Sequence, residues 1–170
     1  MICRVSPPPT RPPDRAARTL GLPRLSSVGR TSPHEMEEVV MPTARGPMDV
    51  DIEGEPPFLD RDGLKLNRNI VRKEFSGDMV GTSEAQMIAA FTSTPGSAGY
   101  VAIEHFTGSV SGKSGSFVLQ HSGVMNRGDA RLTVTIVPDS GSGELAGISG
   151  TLQIDNDQGQ HSYVLEYEIA

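Results

Sequence analysis

The sequence predicts an all-β fold, a small closed antiparallel β-barrel of eight strands in mostly up-and-down order. Short apolar stretches with alternating polar positions recur after residue 47, and turns rich in Gly, Pro, Asn and Asp separate them. Almost no stretch has the period of 3.6 residues that marks a helix. Successive hairpins build a meander, and a meander removes its exposed edges by closing into a barrel.

Eight segments carry the strand pattern. They are Met48 to Ile52, Leu64 to Phe75, Met79 to Thr92, Gly99 to Val110, Gly115 to Met125, Ala130 to Val137, Ser149 to Asp155 and Ser162 to Ile169. The segment from Pro138 to Gly147 contains too many glycines for a strand. We expect a loop there, with one helical turn at Glu144 to Ala146.

The N-terminal segment differs from the rest of the chain in composition. Residues 1–47 contain nine of the thirteen prolines and no aromatic residue. A chain of this kind cannot bury enough apolar surface to offset the entropy of ordering it. We therefore expect residues 1–45 to form a disordered tail and residues 46–170 to form the barrel domain.

The charge of the barrel domain excludes some partners. Four of the 21 acidic and seven of the 15 basic residues lie in residues 1–47, which leaves seventeen acids and eight bases for the domain, a net charge of −9. Nucleic acid is therefore not an expected partner. No apolar run approaches the roughly 20 residues of a membrane span, so no membrane association is expected. The single cysteine, Cys3, allows no internal disulfide, and we expect a cytoplasmic location.

No metal or cofactor site is predicted. The four histidines, His34, His105, His121 and His161, have no spacing to each other or to cysteine that would build a metal shell. The run at Gly112 to Ser114 resembles part of a phosphate-binding loop, but it lies between two predicted strands rather than at the start of a helix. A tight turn explains it better.

The turn near Gly112 sets the register of a hairpin that contains a possible acid–base pair. A two-residue loop at Gly112-Lys113 makes paired positions sum to 225. Glu104 then faces His121, and Phe106 faces Leu119. All four side chains share one apolar face, which we expect to be the barrel interior.

The next hairpin extends this register. A two-residue turn at Arg127-Gly128 places His121 beside Val134 and Leu119 beside Ile136. The opposite face of these strands carries serine, threonine, glutamine and arginine. The alternation supports an apolar interior that contains the histidine.

Glu104 and His121 are the candidate catalytic residues, because a carboxylate across from an imidazole in an apolar wall is a possible proton-transfer pair. The alternative is a purely structural pair. Lys73 lies between Val71 and Phe75 and is a possible third inward charge. The outward orientation is favoured for it, since lysines near strand ends usually extend their ammonium groups into solvent.

Four segments of the barrel domain carry a recognisable pattern. They are KEFSGDMVGTSEA at Lys73 to Ala85, YVAIEHFTGSVSGKSGSFVLQHSG at Tyr100 to Gly123, VPDSGSGELAGISG at Val137 to Gly150 and YVLEYEI at Tyr163 to Ile169. In this order they resemble a bacterial domain-of-unknown-function family with an allene oxide cyclase-like β-barrel. The resemblance runs over about residues 46–170. It includes MPTARGPMDVDIEGEPP, which looks like a family N-terminus and favours Met41 as the true start.

The resemblance implies a barrel whose relatives in fold bind hydrophobic or unstable small molecules in the lumen and often form oligomers. It therefore implies a homo-oligomer, and it implies no established reaction. The family pattern carries the acid at Glu104 and the pair Gln120-His121, but it usually has Arg where this chain has His105. Allene oxide cyclases act without metal or cofactor.

Three functions stay open at this point, and whether the protein is an enzyme is undecided. The first is a barrel that binds a small hydrophobic or amphipathic molecule, with Glu104 and His121 orienting one polar group of the ligand. The expected ligand-binding residues are Tyr100, Phe106, Phe117, Leu119, Tyr163 and Tyr167. The second is a cofactor-free isomerase or cyclase, in which His121 is a general acid or base and Glu104 its partner. The third is a filled structural barrel that acts through oligomer contacts.

Overall fold

The computed structural model describes residues 41–170, which form ten β-strands. The strands are β1 (Thr43–Gly54), β2 (Leu59–Arg61), β3 (Leu64–Phe75), β4 (Met79–Phe91), β5 (Ala98–Val110), β6 (Lys113–Asn126), β7 (Asp129–Ile136), β8 (Ser142–Gly143), β9 (Ile148–Asp157) and β10 (Gln160–Ile169). No helix in the described residues is long and apolar enough to cross a membrane.

Eight of these strands close into an antiparallel barrel, as the sequence predicts. The ring follows chain order through β1, β3, β4, β5, β6, β7, β9 and β10. The first strand closes the ring because its two halves pair with different neighbours. Residues 43–48 pair with β10, and residues 48–54 pair with β3. The short strands β2 and β8 lie outside the ring, on β3 and β6.

Four hairpins of the barrel domain use the same two-residue turn. The turns are Asp62-Gly63, Ser111-Gly112, Arg127-Gly128 and Gln158-Gly159, and both residues of each have positive φ. Two successive positive φ angles define the type I′ turn, whose twist matches that of the flanking strands. Glycine always takes the second position, where a side chain would be strained.

The predicted register of the hairpin between β5 and β6 is wrong by two residues. The turn lies at Ser111-Gly112 rather than at Gly112-Lys113, so Glu104 faces Leu119 and His121 faces Ala102. Glycine fits the second position of the turn, and the prediction had placed it at the first. A shift of two residues keeps every side chain on the same face of the sheet.

The predicted register between β6 and β7 is confirmed, with His121 facing Val134.

The N-terminal end of the predicted barrel differs from the structure. The first strand begins at Thr43, five residues before the predicted start at Met48. Of the predicted disordered tail, residues 1–40 lie outside the described part of the chain.

The glycine-rich segment from residue 138 to 147 packs against one end of the barrel. It contains the short strand β8 and a run of turns in place of the expected helical turn. Leu145 of this segment is fully buried in the core. The loop therefore closes this end of the lumen, which we call the packed end.

Aromatic side chains fill the packed end. The ring centroids of Phe75 and Phe106 lie 5.4 Å apart, and those of Phe106 and Phe117 lie 5.0 Å apart. The hydroxyl of Tyr163 accepts a hydrogen bond from the backbone N–H of Met79 and donates one to the carbonyl of Ser76, each at 2.8 Å. Both the apolar body and the polar tip of this tyrosine are thereby satisfied.

Small side chains line the opposite end of the lumen, which we call the open end. Ala85 and Ala89 on β4 and Ala102 on β5 point inward there, where the packed end has phenylalanines. Alanines on neighbouring strands cannot span the width of an eight-stranded barrel. The open end consequently contains empty space.

Candidate functional site

Four polar side chains meet in the lumen, between the aromatic core of the packed end and the alanines of the open end. We call them the polar cluster: Lys73 on β3, Ser83 on β4, Glu104 on β5 and His121 on β6. All four are buried. Each occupies an inward position in the alternation of its strand, so the β pleat itself brings them together.

Glu104 and His121 are diagonal neighbours across the hairpin of β5 and β6. Glu104 faces Leu119 directly and His121 faces Ala102, two positions away. Diagonal positions on one face of a sheet are still within reach of long side chains. The structure therefore brings together the two residues that the sequence predicted as a pair, although by another register.

The carboxylate of Glu104 is the centre of the cluster. Its Oε2 accepts a hydrogen bond from Nζ of Lys73 at 2.6 Å, and its Oε1 accepts one from Oγ of Ser83 at 2.6 Å. Glu104 is 0% exposed and Lys73 is 8% exposed. A buried carboxylate is stable only with such partners, because an unpaired charge is costly in an apolar interior.

His121 contributes a third contact to the same carboxylate. Its Nε2 lies 2.7 Å from Oε2 of Glu104, within hydrogen-bonding distance but off the direction in which the ring N–H points. Two buried acceptor atoms would repel each other at this distance, so a proton must lie between them. Since Glu104 is ionised, Nε2 carries this proton. In the neutral ring the other nitrogen, Nδ1, is then the hydrogen-bond acceptor.

The partners of Glu104 keep it ionised. Burial alone would raise the pKa of its carboxyl group, but the hydrogen bond from His121, the charge of Lys73 and the bonds from Lys73 and Ser83 outweigh burial and lower the pKa to about 2. A carboxylate with this pKa is a poor base. Its role is to fix the orientation of the lysine and the histidine.

A cavity of about 450 Å³ lies in the open end of the barrel. Its walls are mostly aliphatic, and they include Val71, Met87 and the three inward alanines of β4 and β5. Lys73, Glu104 and His121 also line it. The cavity therefore combines an apolar wall with one cluster of polar groups.

Large apolar side chains surround the mouth of the cavity. Ile52, Phe91, Met125 and Leu132 line the cavity and are also exposed to solvent. Arg131 and His161 line it as well. The mouth is thus apolar with two basic groups.

The six predicted ligand-binding residues divide between the two ends. Tyr100 lines the cavity. The other five, Phe106, Phe117, Leu119, Tyr163 and Tyr167, belong to the buried core of the packed end and do not line the cavity. Sequence alternation identified their inward direction but not the end of the barrel at which they lie.

Tyr100 lies against a position without a side chain. It faces Gly123 across β5 and β6, and a Cβ on Gly123 would overlap the tyrosine ring. Burial, together with the negative charge of Glu104, raises the pKa of the phenol. Tyr100 therefore stays neutral and adds a hydroxyl to an otherwise aliphatic wall.

Lys73 and Ser83 extend the predicted site. The expected outward orientation of Lys73 is wrong, because the carboxylate of Glu104 compensates its charge inside the barrel. The inward positions of Val71 and Phe75, two residues away on either side, were the signal for this orientation. No feature of the sequence identified Ser83 as a member of the site. In the described residues, no group of three or more His, Cys, Asp or Glu side chains is placed to hold a metal ion.

Comparisons with known proteins agree with this fold. The family described as "Protein of unknown function (DUF3224)" matches residues 44–167. A crystal structure of a protein with unknown function from the DUF3224 family of Shewanella oneidensis MR-1 is similar, with a TM-score of 0.73 and 40% sequence identity. The similarity covers 76% of this chain and 98% of that chain. The comparison with curated proteins gave no match.

The substitution Glu104→Gln tests the centre of the polar cluster. It leaves the buried Lys73 without a counter-ion, and we expect a loss of about 3–5 kcal/mol in the free energy of unfolding at neutral pH. The pKa of Glu104 is lower in the folded protein than its ordinary value of 4.5, so its charge stabilises the fold above that value. The difference between wild type and variant should therefore shrink as the pH falls from about 4.5 toward about 2. Urea unfolding at several pH values measures it.

Glu84→Gln is the matched control. Glu84 lies on the outer face of β4, exposed, with its Oε2 at 3.4 Å from Nε of Arg72. An exposed ion pair contributes at most about 1 kcal/mol, so this variant should unfold much like the wild type. Equal losses for the two variants would contradict the buried role of Glu104.

Proposed function

The chain belongs to the DUF3224 family, and from its geometry we propose that it binds a small, mostly apolar molecule in the open end of the barrel. The observation that carries the proposal is the cavity of about 450 Å³ with a polar cluster at its inner boundary. Small-molecule sites commonly measure about 300–1,000 Å³ and combine apolar walls with a few placed polar groups. The cavity meets both conditions.

The distribution of side-chain sizes supports this proposal. Aromatic rings fill the packed end of the barrel, which shows that this barrel accommodates large side chains at inward positions. The open end has alanine at three inward positions instead. Empty apolar space lowers stability, because the side chains around it lose packing contacts. A bound ligand would restore those contacts.

The polar cluster gives the ligand an orientation. Lys73 lines the cavity, and its ammonium group uses one of its three N–H donors for Glu104. An acceptor on the ligand can therefore bind to Lys73, and a donor can bind to Nδ1 of His121, while the apolar part of the ligand lies against the alanines and Tyr100. The expectations of a homo-oligomer and of a cytoplasmic location stay predictions.

A second candidate is a cofactor-free isomerase or cyclase that uses the same cavity. The observation that favours it is the contact between Glu104 and His121, which leaves Nδ1 as the basic nitrogen of a ring that lines the cavity. The resemblance to allene oxide cyclase-like barrels agrees with a reaction that needs no metal. Lys73 would stabilise the negative charge that develops on a substrate oxygen.

Exchange of hydrogen for deuterium on a bound ketone tests this second candidate. The imidazole would take a proton from the carbon beside the carbonyl of 2-decanone, and the electron pair would move to the oxygen. The imidazolium would exchange this proton for a deuteron of D₂O and return the deuteron to the carbon, which restores the neutral imidazole and the ketone. We expect NMR to show exchange with wild type above the rate in buffer, and a loss of at least about tenfold with His121→Gln. Equal exchange rates with wild type and His121→Gln would contradict the catalytic role of His121, and ligand binding would be the remaining proposal.

Filling the cavity tests the binding proposal. Ala89 points into the cavity, and Ala89→Phe places a ring where the ligand would lie. The probe is N-phenyl-1-naphthylamine, a neutral apolar dye whose fluorescence rises when it leaves water. We expect saturable binding by wild type and at least about a tenfold loss of affinity in Ala89→Phe, because the ring removes the apolar contacts of the probe.

Ala90→Phe is the matched control for this measurement. Ala90 is the next residue of β4, so it points to the other face of the sheet, and it does not line the cavity. Probe affinity should be unchanged in this variant. A similar loss in both variants, or no saturable binding by wild type, would contradict the proposal.

A further inference from the structure

The charge balance of the polar cluster limits what the cavity can accept. We propose, on the basis of the proposed function, that the site selects neutral molecules with a hydrogen-bond acceptor, such as a ketone, aldehyde or epoxide. Organic carboxylates bind only when His121 takes up a proton. Both classes of ligand would occupy the same apolar cavity, but a neutral ligand binds with His121 neutral and a carboxylate binds with His121 protonated.

The argument begins with the buried charges. Lys73 carries one positive charge and Glu104 one negative charge, and their Nζ and Oε2 atoms lie 2.6 Å apart. With a neutral His121 the cluster has no net charge. A neutral acceptor can take a free N–H of Lys73 without disturbing this balance, because the ammonium group has three N–H donors and Glu104 uses one.

A carboxylate changes the balance. Bound at the cluster, it adds a second negative charge beside Glu104 in a site walled by alanine, valine and methionine. An uncompensated buried charge is unfavourable. Glu104 is the less favourable proton acceptor, because its hydrogen bonds and the charge of Lys73 lower the pKa of its carboxyl group to about 2. His121 is the remaining buried group of the cluster that can gain a positive charge in this range.

Other charged or titratable groups surround His121 in the lumen. Its Nε2 lies 2.7 Å from Oε2 of Glu104 on β5, and the same oxygen contacts Lys73 of β3. Tyr100 of β5 lines the same cavity. Arg131 of β7 and His161 of β10 also line the cavity. Arg131 is exposed to solvent, so water already stabilises its charge. His161 is less buried than His121 and serves as the comparison histidine.

Calorimetry with two ligands of equal chain length tests the inference. 2-Decanone and decanoate are titrated between about pH 6 and about pH 8, where the ligand carboxylate is charged and imidazole titrates. Each titration is repeated in two buffers with different ionisation enthalpies, which gives the number of protons taken up. We expect no proton uptake and no pH dependence for the ketone. Decanoate should take up close to one proton at the higher pH and weaken about tenfold per pH unit there.

Three histidine variants locate the proton. His121→Gln should abolish proton uptake with decanoate and remove the pH dependence of its affinity. His105→Gln is the control, because it changes an exposed histidine of β5 that does not line the cavity, and it should keep the affinity and the proton uptake of wild type. His161→Gln changes the other histidine that lines the cavity, and proton uptake with decanoate should persist in it whatever its effect on affinity. Circular dichroism confirms that each variant is folded.

The outcomes separate the inference from the function on which it rests. Binding of 2-decanone together with decanoate binding that takes up no proton would overturn the inference and leave the proposed function standing. Proton uptake that persists in His121→Gln would overturn the assignment to His121. Binding of neither ligand would overturn the proposed function as well.

Discussion

The carboxylate of Glu104 is the constraint on which the rest of the site depends. It is fully buried, and it has Lys73, Ser83 and His121 as partners from three other strands. Those contacts hold an ammonium group and an imidazole at the edge of an apolar cavity. Without the carboxylate the lysine would carry an uncompensated charge inside the barrel, and the histidine would lose the partner that fixes which of its nitrogens carries the proton.

The cluster also divides the barrel into two halves with different roles. On one side, packed aromatic rings and the buried Leu145 of the glycine-rich loop fill the lumen and stabilise the fold. On the other side, alanines leave the cavity open toward an apolar mouth. One fold thus contains a half that resembles an ordinary protein core and a half that resembles a binding site.

Much of this arrangement follows from the sequence, because the β pleat fixes the direction of each side chain. The predicted register of β5 and β6 was wrong by two residues. Glu104 and His121 are nevertheless in contact, because a shift by an even number of residues keeps both side chains on the inner face of the sheet. A rule that puts glycine second in each two-residue turn would have given the observed register at Ser111-Gly112. The cavity itself was beyond prediction, because it depends on the summed size of side chains from several strands around the ring. The inward direction of Lys73 depended on a partner, Glu104, that is 31 residues away in the chain.

A crystal structure with 2-decanone bound tests the central claim most directly, because it shows both where a ligand lies and which atoms hold it. The account predicts density in the open end, with the carbonyl oxygen within about 3.2 Å of Nζ of Lys73. The alkyl chain should extend past Ala85, Ala89 and Ala102 toward the mouth. An empty cavity in crystals soaked at saturation, or a ligand bound only to the outer wall of the barrel, would contradict it.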